Sequence, residues 1–422
     1  MSPRHRILRD LPFVLPFEDR VALFREFVAL DRSVTLGPNA EWRNLMVGER
    51  QRLEVRRDAV FEDGYAQITR LPTDSFKSRL AITFVSELGT TEAGIDGGGV
   101  FKEFFTLLAR DAFDPNRGLF RATPHEQAMF PNPRAILDTR GLPPLGESSR
   151  AVVNAALAHQ YDFVGRVVGK ALYDGILVDV AFAPFFLNHW LGRRNLLEDL
   201  PSYDPQLARS LLSLSGFTSK DMHELGLTFS VDAEGGGIVD LIRDGRNVPV
   251  TSSNRIKYSY LLANFKLNAE IHRACSGFLS GMHQLIRPEW LRLFNQVELS
   301  NLVSGSQTSI DLDDMRLHAT YGGEYNERHP VIGTFWAVVE SFTDEDRRLL
   351  VRFITSCTRA PLLGFKELVP AMCIRPGGDD QEWLPTASTC VNLLKLPKYA
   401  SADTLREKLL YSIRSGVGFE LS

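Results

Sequence analysis

One cysteine of the four in this 422-residue chain has a setting suited to a nucleophile. The segment LPTASTC, residues 384–390, delivers Cys390 from a proline-containing polar stretch directly into the apolar run VNLLKLP. A thiol at such a loop-to-strand junction can meet solvent while its neighbours are held by packing, and a thiolate is a strong nucleophile. The same residues also fit a small buried core thiol, so the local sequence leaves both readings open. A histidine-assisted hydrolase would add an imidazole, but all nine histidines precede residue 330 and none has a recognisable local signature. No Cys or His pair has the close spacing of a zinc site, so no metal is expected. GRVVGKAL at 165–172 is one residue short of a phosphate loop between its glycines. Ala171 stands there in place of the magnesium-binding Ser or Thr. Gly165 and Gly169, four apart on an expected helix, instead suit close helix packing.

The elements that must position Cys390 can be read in outline. Past the small polar run SGSQTS at 304–309, a candidate hinge, about 110 residues read as a compact α/β unit. Helices are expected near 327–341 and 343–352, strands around 369–375 and 391–396, and then a last helix. In that helix Thr404 and Glu407 suggest a capping box, with Leu405, Leu409, Leu410 and Ile413 on the apolar face and Gly416 and Gly418 as stops. Upstream, IDGGGVFKEFFTLL makes a tight turn into a helix with Val100, Phe101, Phe104, Phe105 and Leu108 inward. Short β-rich runs are expected at Leu80–Ser86 and Leu227–Val231. Residues 1–55 read as a polar extension with one amphipathic helix, Val21, Phe24, Phe27 and Val28 recurring at helical spacing, which braces the rest of the chain.

Composition narrows the class. Apolar residues are 44%, charged residues 24%, and the net charge is -4, a mixture typical of folded chains. Neither sign forms a block that would recruit nucleic acid or a membrane surface, so proteins are the expected partners. The most apolar stretch, Gly175 to Leu187, is too short to span a bilayer and reads as core. The start lacks a signal peptide, and the scattered cysteines fit free thiols in a reducing compartment, cytoplasmic or nuclear.

In order along the chain, RRDAVFEDGY, GIDGGGVFKEFF, FVGRVVGKAL, TSSNR, SGSQTS, SFTDEDRRLLVRFITSCTRAP, LPTASTC and the terminal GFELS together resemble the HECT family of ubiquitin ligases from about Arg56 to Ser422. The resemblance implies an α+β, bilobal fold. A larger, mostly helical N-lobe (56–304) would be joined by a flexible hinge (305–309, with Gly305, Ser306, Gln307 and Thr308) to a smaller α/β C-lobe (310–422). It also implies that Cys390 carries ubiquitin as a thioester, received from a conjugating enzyme and passed to substrate lysines to build chains, without a cofactor of its own.

Further residues carry over from the same resemblance. Thr389 precedes the cysteine as in the family, although Ser388 stands where a His is frequent. Asp96 and Glu103 match acidic positions facing the cysteine during transfer and are candidates to orient and deprotonate the incoming lysine. Phe419, fourth from the end, matches an aromatic needed for transfer. A subdomain of about 195–265 matches the docking site for the conjugating enzyme, a groove that Leu207, Leu211, Leu214, Phe217, Leu225, Leu227, Tyr258 and Leu262 would line; helical spacing alone also fits ordinary core for these residues. STC and GFELS look closest to members that elongate chains on proteasome-bound clients. The competing expectations are a noncatalytic ubiquitin-binding scaffold and a cysteine hydrolase.

Overall fold

Two hydrophobic cores organise the chain, one built from residues between Val21 and Val303 and the other between Ile310 and Ile413. The computed structural model describes residues 11–37, 51–86, 99–135, 147–234, 236–305, 309–355, 357 and 359–415, with the backbone alone at 99, 147–154 and 390.

In the large lobe, the first helix, α1 (Phe17–Leu36), buries Val21, Phe24 and Val28 at i, i+3 and i+7, with Phe24 edge-on to Phe294 and Trp290. Polar ties fix its register. Arg20 donates to Glu298 and, at 2.7 Å, to the carbonyl of Leu293, while Asp31 accepts from Lys77 Nζ at 2.6 Å and Tyr173 Oη at 3.1 Å. The strand β1 (Gln51–Arg56) then pairs in parallel with β2 (Leu80–Val85). The boundary read at 55/56 therefore falls at the last residue of a strand whose Leu53 and Val55 lie in the large core. Pairing across that sequence gap leaves no local signature.

α2 (Gly99–Ala112) comes next, with Phe101, Phe104, Phe105 and Leu108 buried as its spacing implies. The hairpin β3 (Phe120–Ala122) and β4 (Met129–Pro131) leads to the long α3 (Glu147–Asp174). Within 195–265 lie α4 (Pro205–Ser213), the hairpin β5 (Ser230–Asp232) with β6 (Ile238–Asp240), and α5 (Arg255–Asn264). The strand expected at Leu227–Val231 thus starts three residues later. α6 (His272–His283) packs along α3, and glycines set the separation: a Cβ on Gly165 would lie 1.8 Å from Phe278 O, and one on Gly281 1.8 Å from Asp162 O. α7 (Gln296–Ser304) closes the lobe.

The small lobe carries a four-stranded sheet in the order β7 (Thr320–Tyr321), β8 (Cys373–Pro376), β10 (Leu393–Leu396), β9 (Thr386–Ser388), parallel except for β9. α8 (Pro330–Glu340), α9 (Asp344–Thr355) and α10 (Ala402–Ser415) supply the rest of the core. The cap of α10 is Ser401, whose Oγ accepts from Thr404 N at 3.1 Å. The suggested Thr404–Glu407 box therefore lies inside the helix, displaced because a serine one turn earlier takes the capping role. Gly416, Gly418 and Phe419 lie outside the described residues. No helix among the described residues is long and apolar enough to cross a membrane. The whole is an α+β, two-lobed fold.

Candidate active site around the Cys390 turn

The cysteine segment is a hairpin tip rather than the open loop its composition suggests. Thr386–Ser388 pairs antiparallel with β10, setting Ser388 opposite Leu393 and Ala387 opposite Leu394. Thr389–Val391 then makes one turn of 3-10 helix, with the Cys390 backbone at its middle. Asn392 reverses the chain in the left-handed region, φ 49° and ψ 42°, a conformation Asn tolerates better than most residues. It is also buried and braced from behind. Its Nδ2 donates to Pro370 O at 2.7 Å, and its carbonyl accepts from Cys373 N at 2.9 Å. Thr389 is half-buried and its carbonyl receives the Asn392 N–H, while Val391 stays exposed beside the cysteine. Sequence reasoning missed Asn392. Its signal was an asparagine between two short apolar strands, where a turn needs positive φ.

Two helices converge on this turn: α9 of the small lobe and α2 of the large lobe both pack against it. On α2, Lys102 reaches across the lobe boundary and donates from Nζ to Thr355 O, the last residue of α9, at 2.8 Å. Burial lowers the Lys102 pKa below the ordinary lysine range, with Cys357 acting in the opposite direction. The adjacent Glu103 is engaged by Arg57 at 2.7 Å, whose guanidinium stacks over Phe84 at 4.1 Å. Asp96, the other acidic candidate, lies outside the described residues, as does Phe419.

Of the other thiols, Cys373 on β8 is half-buried. Cys275 and Cys357 are buried, and burial pushes both thiols above their ordinary pKa. Several histidines are committed elsewhere: His189 faces Leu267 O at 2.9 Å, His318 bonds Asp314, and His329 caps α8. Among the described residues no group of His, Cys, Asp and Glu is arranged to hold a metal ion.

The docking candidates divide by burial. Leu211, Leu214, Tyr258 and Leu262 belong to the core of the large lobe, and Leu207, Phe217 and Leu227 are half-buried against it. Only Leu225 among the eight is exposed, at 45%. The same elements leave other large apolar side chains in solvent: Leu212 on α4, and Ile256 and Tyr260 one turn apart on α5. Helical spacing identified the apolar face of α4 but could not say that this face looks inward.

The lobes join at Gly305, which ends α7 with φ 82°, a backbone region that favours glycine. Arg359 of the small lobe donates to Ser304 O at 3.1 Å beside it. Ser306, Gln307 and Thr308 lie outside the described residues.

Comparison with known proteins agrees with this architecture. The model of the HECT domain (ubiquitin-transferase) matches residues 106–422. A probable E3 ubiquitin protein ligase of Schizosaccharomyces pombe is 40% identical over 100% of this chain and 39% of its own length. E3 ubiquitin-protein ligase HUL5 of Saccharomyces cerevisiae is 39% identical over 99% of this chain and 45% of its own length. Ubiquitin-protein ligase E3B of Homo sapiens is 36% identical over 99% and 40%. The chain thus spans less than half the length of these relatives. With its two-lobed fold and a family match across most of its residues, the chain belongs to the HECT family of ubiquitin-transferase domains.

Proposed function

We propose that the protein is a ubiquitin-protein ligase that accepts ubiquitin from a conjugating enzyme as a thioester on Cys390, then transfers it to substrate lysines and builds polyubiquitin chains. The observation that carries this reading is the packing of the Cys390 turn against α2, across a glycine-containing junction between two separate cores. In the first step the Cys390 thiolate attacks the carbonyl of the donor thioester, and the thiolate of the conjugating enzyme leaves. One thioester replaces another, so alignment matters more than a strong base. In the second step a lysine amine attacks the new thioester, an amide forms, and the Cys390 thiolate departs. The lysine, with an ordinary pKa of about 10.4, must give up its proton on the way, and Asp96 or Glu103 would orient and accept it. Neither step uses a bound cofactor.

The remaining assignments follow the family pattern. The conjugating enzyme docks on the 195–265 subdomain through its partly buried and exposed apolar side chains, Leu225 among them, supported by the exposure of Leu225, Ile256 and Tyr260. Gly305 to Thr308 form the hinge, Thr389 supports the cysteine, and Phe419 serves transfer. Substrates are proteasome-associated clients, a reading supported by the STC and GFELS segments, and the scattered free thiols support a cytoplasmic or nuclear location. Leu225→Asp should slow charging of Cys390, and Phe419→Ala should charge normally but discharge poorly to lysine. Equal rates for either variant and the unaltered protein would remove that residue from the scheme. A noncatalytic scaffold would show no reductant-sensitive adduct at all, and a hydrolase would release free ubiquitin in place of isopeptide product.

A further inference from the structure

The polar contacts between the lobes are of different kinds. Arg25 of α1 pairs with Glu367, Arg25 being about half exposed and Glu367 mostly buried, so this pair joins the lobes through α1 rather than beside the Cys390 turn. Arg359 bonds Ser304 at the junction itself, so it moves with the pivot and fixes no orientation. Lys102 is different in position and partner. It lies on a helix that packs against the Cys390 turn, and its acceptor ends a second helix that packs on the same turn. The contact closes a triangle of α2, the turn and α9.

The acceptor suits a cation. Thr355 is the last residue of α9, and its hydroxyl is occupied, donating to Val351 O at 2.8 Å and accepting from Cys357 N at 3.3 Å. Its carbonyl has no partner within the helix and sits at the negative end of the helix dipole. A half-buried ammonium there makes a charge-assisted bond that water screens poorly. The sequence shows the same feature as a single lysine set among the apolar residues of VFKEFF.

We propose that Lys102 is an interlobe latch, a positioning residue that holds the Cys390 turn against α2 during transfer to lysine. This rests on the reading of the protein as a thioester-forming ligase. Charging requires Cys390 to reach a partner docked on 195–265, a part of the large lobe distinct from α2, so the latched arrangement serves the second step and not the first. The latch acts through geometry: it touches neither the thioester nor the lysine.

The test separates the two steps. Lys102→Met keeps the length and apolar stem of the side chain and removes the charge; Lys102→Arg keeps a cationic donor. Single-turnover assays would follow charging of Cys390 from a loaded conjugating enzyme, then discharge to free lysine. Dyes at exposed Glu126 and Asp380 would report the distance between lobes by energy transfer, and thermal melting would monitor folding. The expected result is charging within about twofold of the unaltered protein, discharge slowed about tenfold or more as for loss of one charged hydrogen bond, lower energy transfer, an unchanged melting temperature, and recovery in Lys102→Arg. Discharge and energy transfer equal to the unaltered protein would overturn the latch, as would charging and discharge falling together with the melting temperature. Failure of the unaltered protein to charge would instead strike the ligase reading, and the energy-transfer comparison would still decide the latch.

Discussion

Asn392 and Pro370 are joined by a 2.7 Å hydrogen bond from Nδ2 to the carbonyl oxygen, and this bond ties the rear of the cysteine turn to the segment that enters β8. The asparagine therefore has two tasks: its backbone supplies the positive φ that reverses the chain, and its side chain anchors the reversal. The two can be separated experimentally. Asn392→Gly keeps the backbone geometry and loses the anchor; Asn392→Ala loses both. The anchor contributes on the order of 1 kcal/mol, and forcing alanine into the left-handed region costs about 1 kcal/mol more. The melting temperature of the small lobe should fall in the order unaltered, Gly, Ala, and the rate of Cys390 charging should fall in the same order. Charging unaffected by Asn392→Ala would mean that the turn is held by its strands alone.

Gly165 and Gly281 should tolerate no side chain. A Cβ at either would meet a backbone carbonyl at 1.8 Å, and backbone cannot swing aside as a flexible side chain would. Alanine at either position must push α3 and α6 apart along a fully packed seam, and a loss of about 3 kcal/mol or more is expected by analogy with overpacked cores. Urea denaturation would show it as a lower midpoint. Gly333, whose Cβ would meet nothing within 4 Å, should accept alanine without loss and serves as the control.

Thiol chemistry should be selective. Burial raises the pKa of Cys275 and Cys357, so neither offers appreciable thiolate at pH 8. Brief iodoacetamide treatment of the folded protein, followed by mass spectrometry, should leave both unmodified while labelling Cys390. Labelling of Cys275 at the rate seen in denaturant would contradict its burial.

Stability should decline on mild acidification. Burial is the largest influence on His189 and on His283, and it lowers both pKa values, against the partial opposition of Leu267 O and Glu289 respectively. Below the unfolded histidine value of about 6.5 the unfolded chain therefore binds protons that the native chain refuses, and stability drops as pH falls from there. Melting temperatures at pH 7.5, 6.5 and 5.5 should decrease, with the steeper fall between the last two. His189→Gln should flatten that fall.

Much of this site was legible in the sequence because its determinants are local. The polar run before Ile310 marks the change from one core to the other, and the passage from polar LPTAST to apolar VNLLKL marks where Cys390 emerges. The spacing of Gly165 and Gly169 announced close packing, which the proximity of Phe278 O and Met282 O explains. What stayed hidden depends on residues far apart in the chain. Nothing local to Glu103 announced its pairing with Arg57, 46 positions earlier. The apolar positions of α4 and the residue after it gave a face without a direction, so the sequence could not show that Leu211 and Leu214 are buried. The TAS strand depends on pairing with β10, which no pattern within LPTASTC encodes.

The most direct test of the central claim is transfer to Cys390 itself. The protein would be incubated with activating enzyme, a cysteine-reactive conjugating enzyme, ATP and ubiquitin, and resolved on gels with and without reductant beside Cys390→Ala. The expected result is a ubiquitin adduct that reductant removes and that Cys390→Ala lacks. An adduct that persists in Cys390→Ala, or no adduct across a panel of conjugating enzymes, would contradict a thioester carried on Cys390.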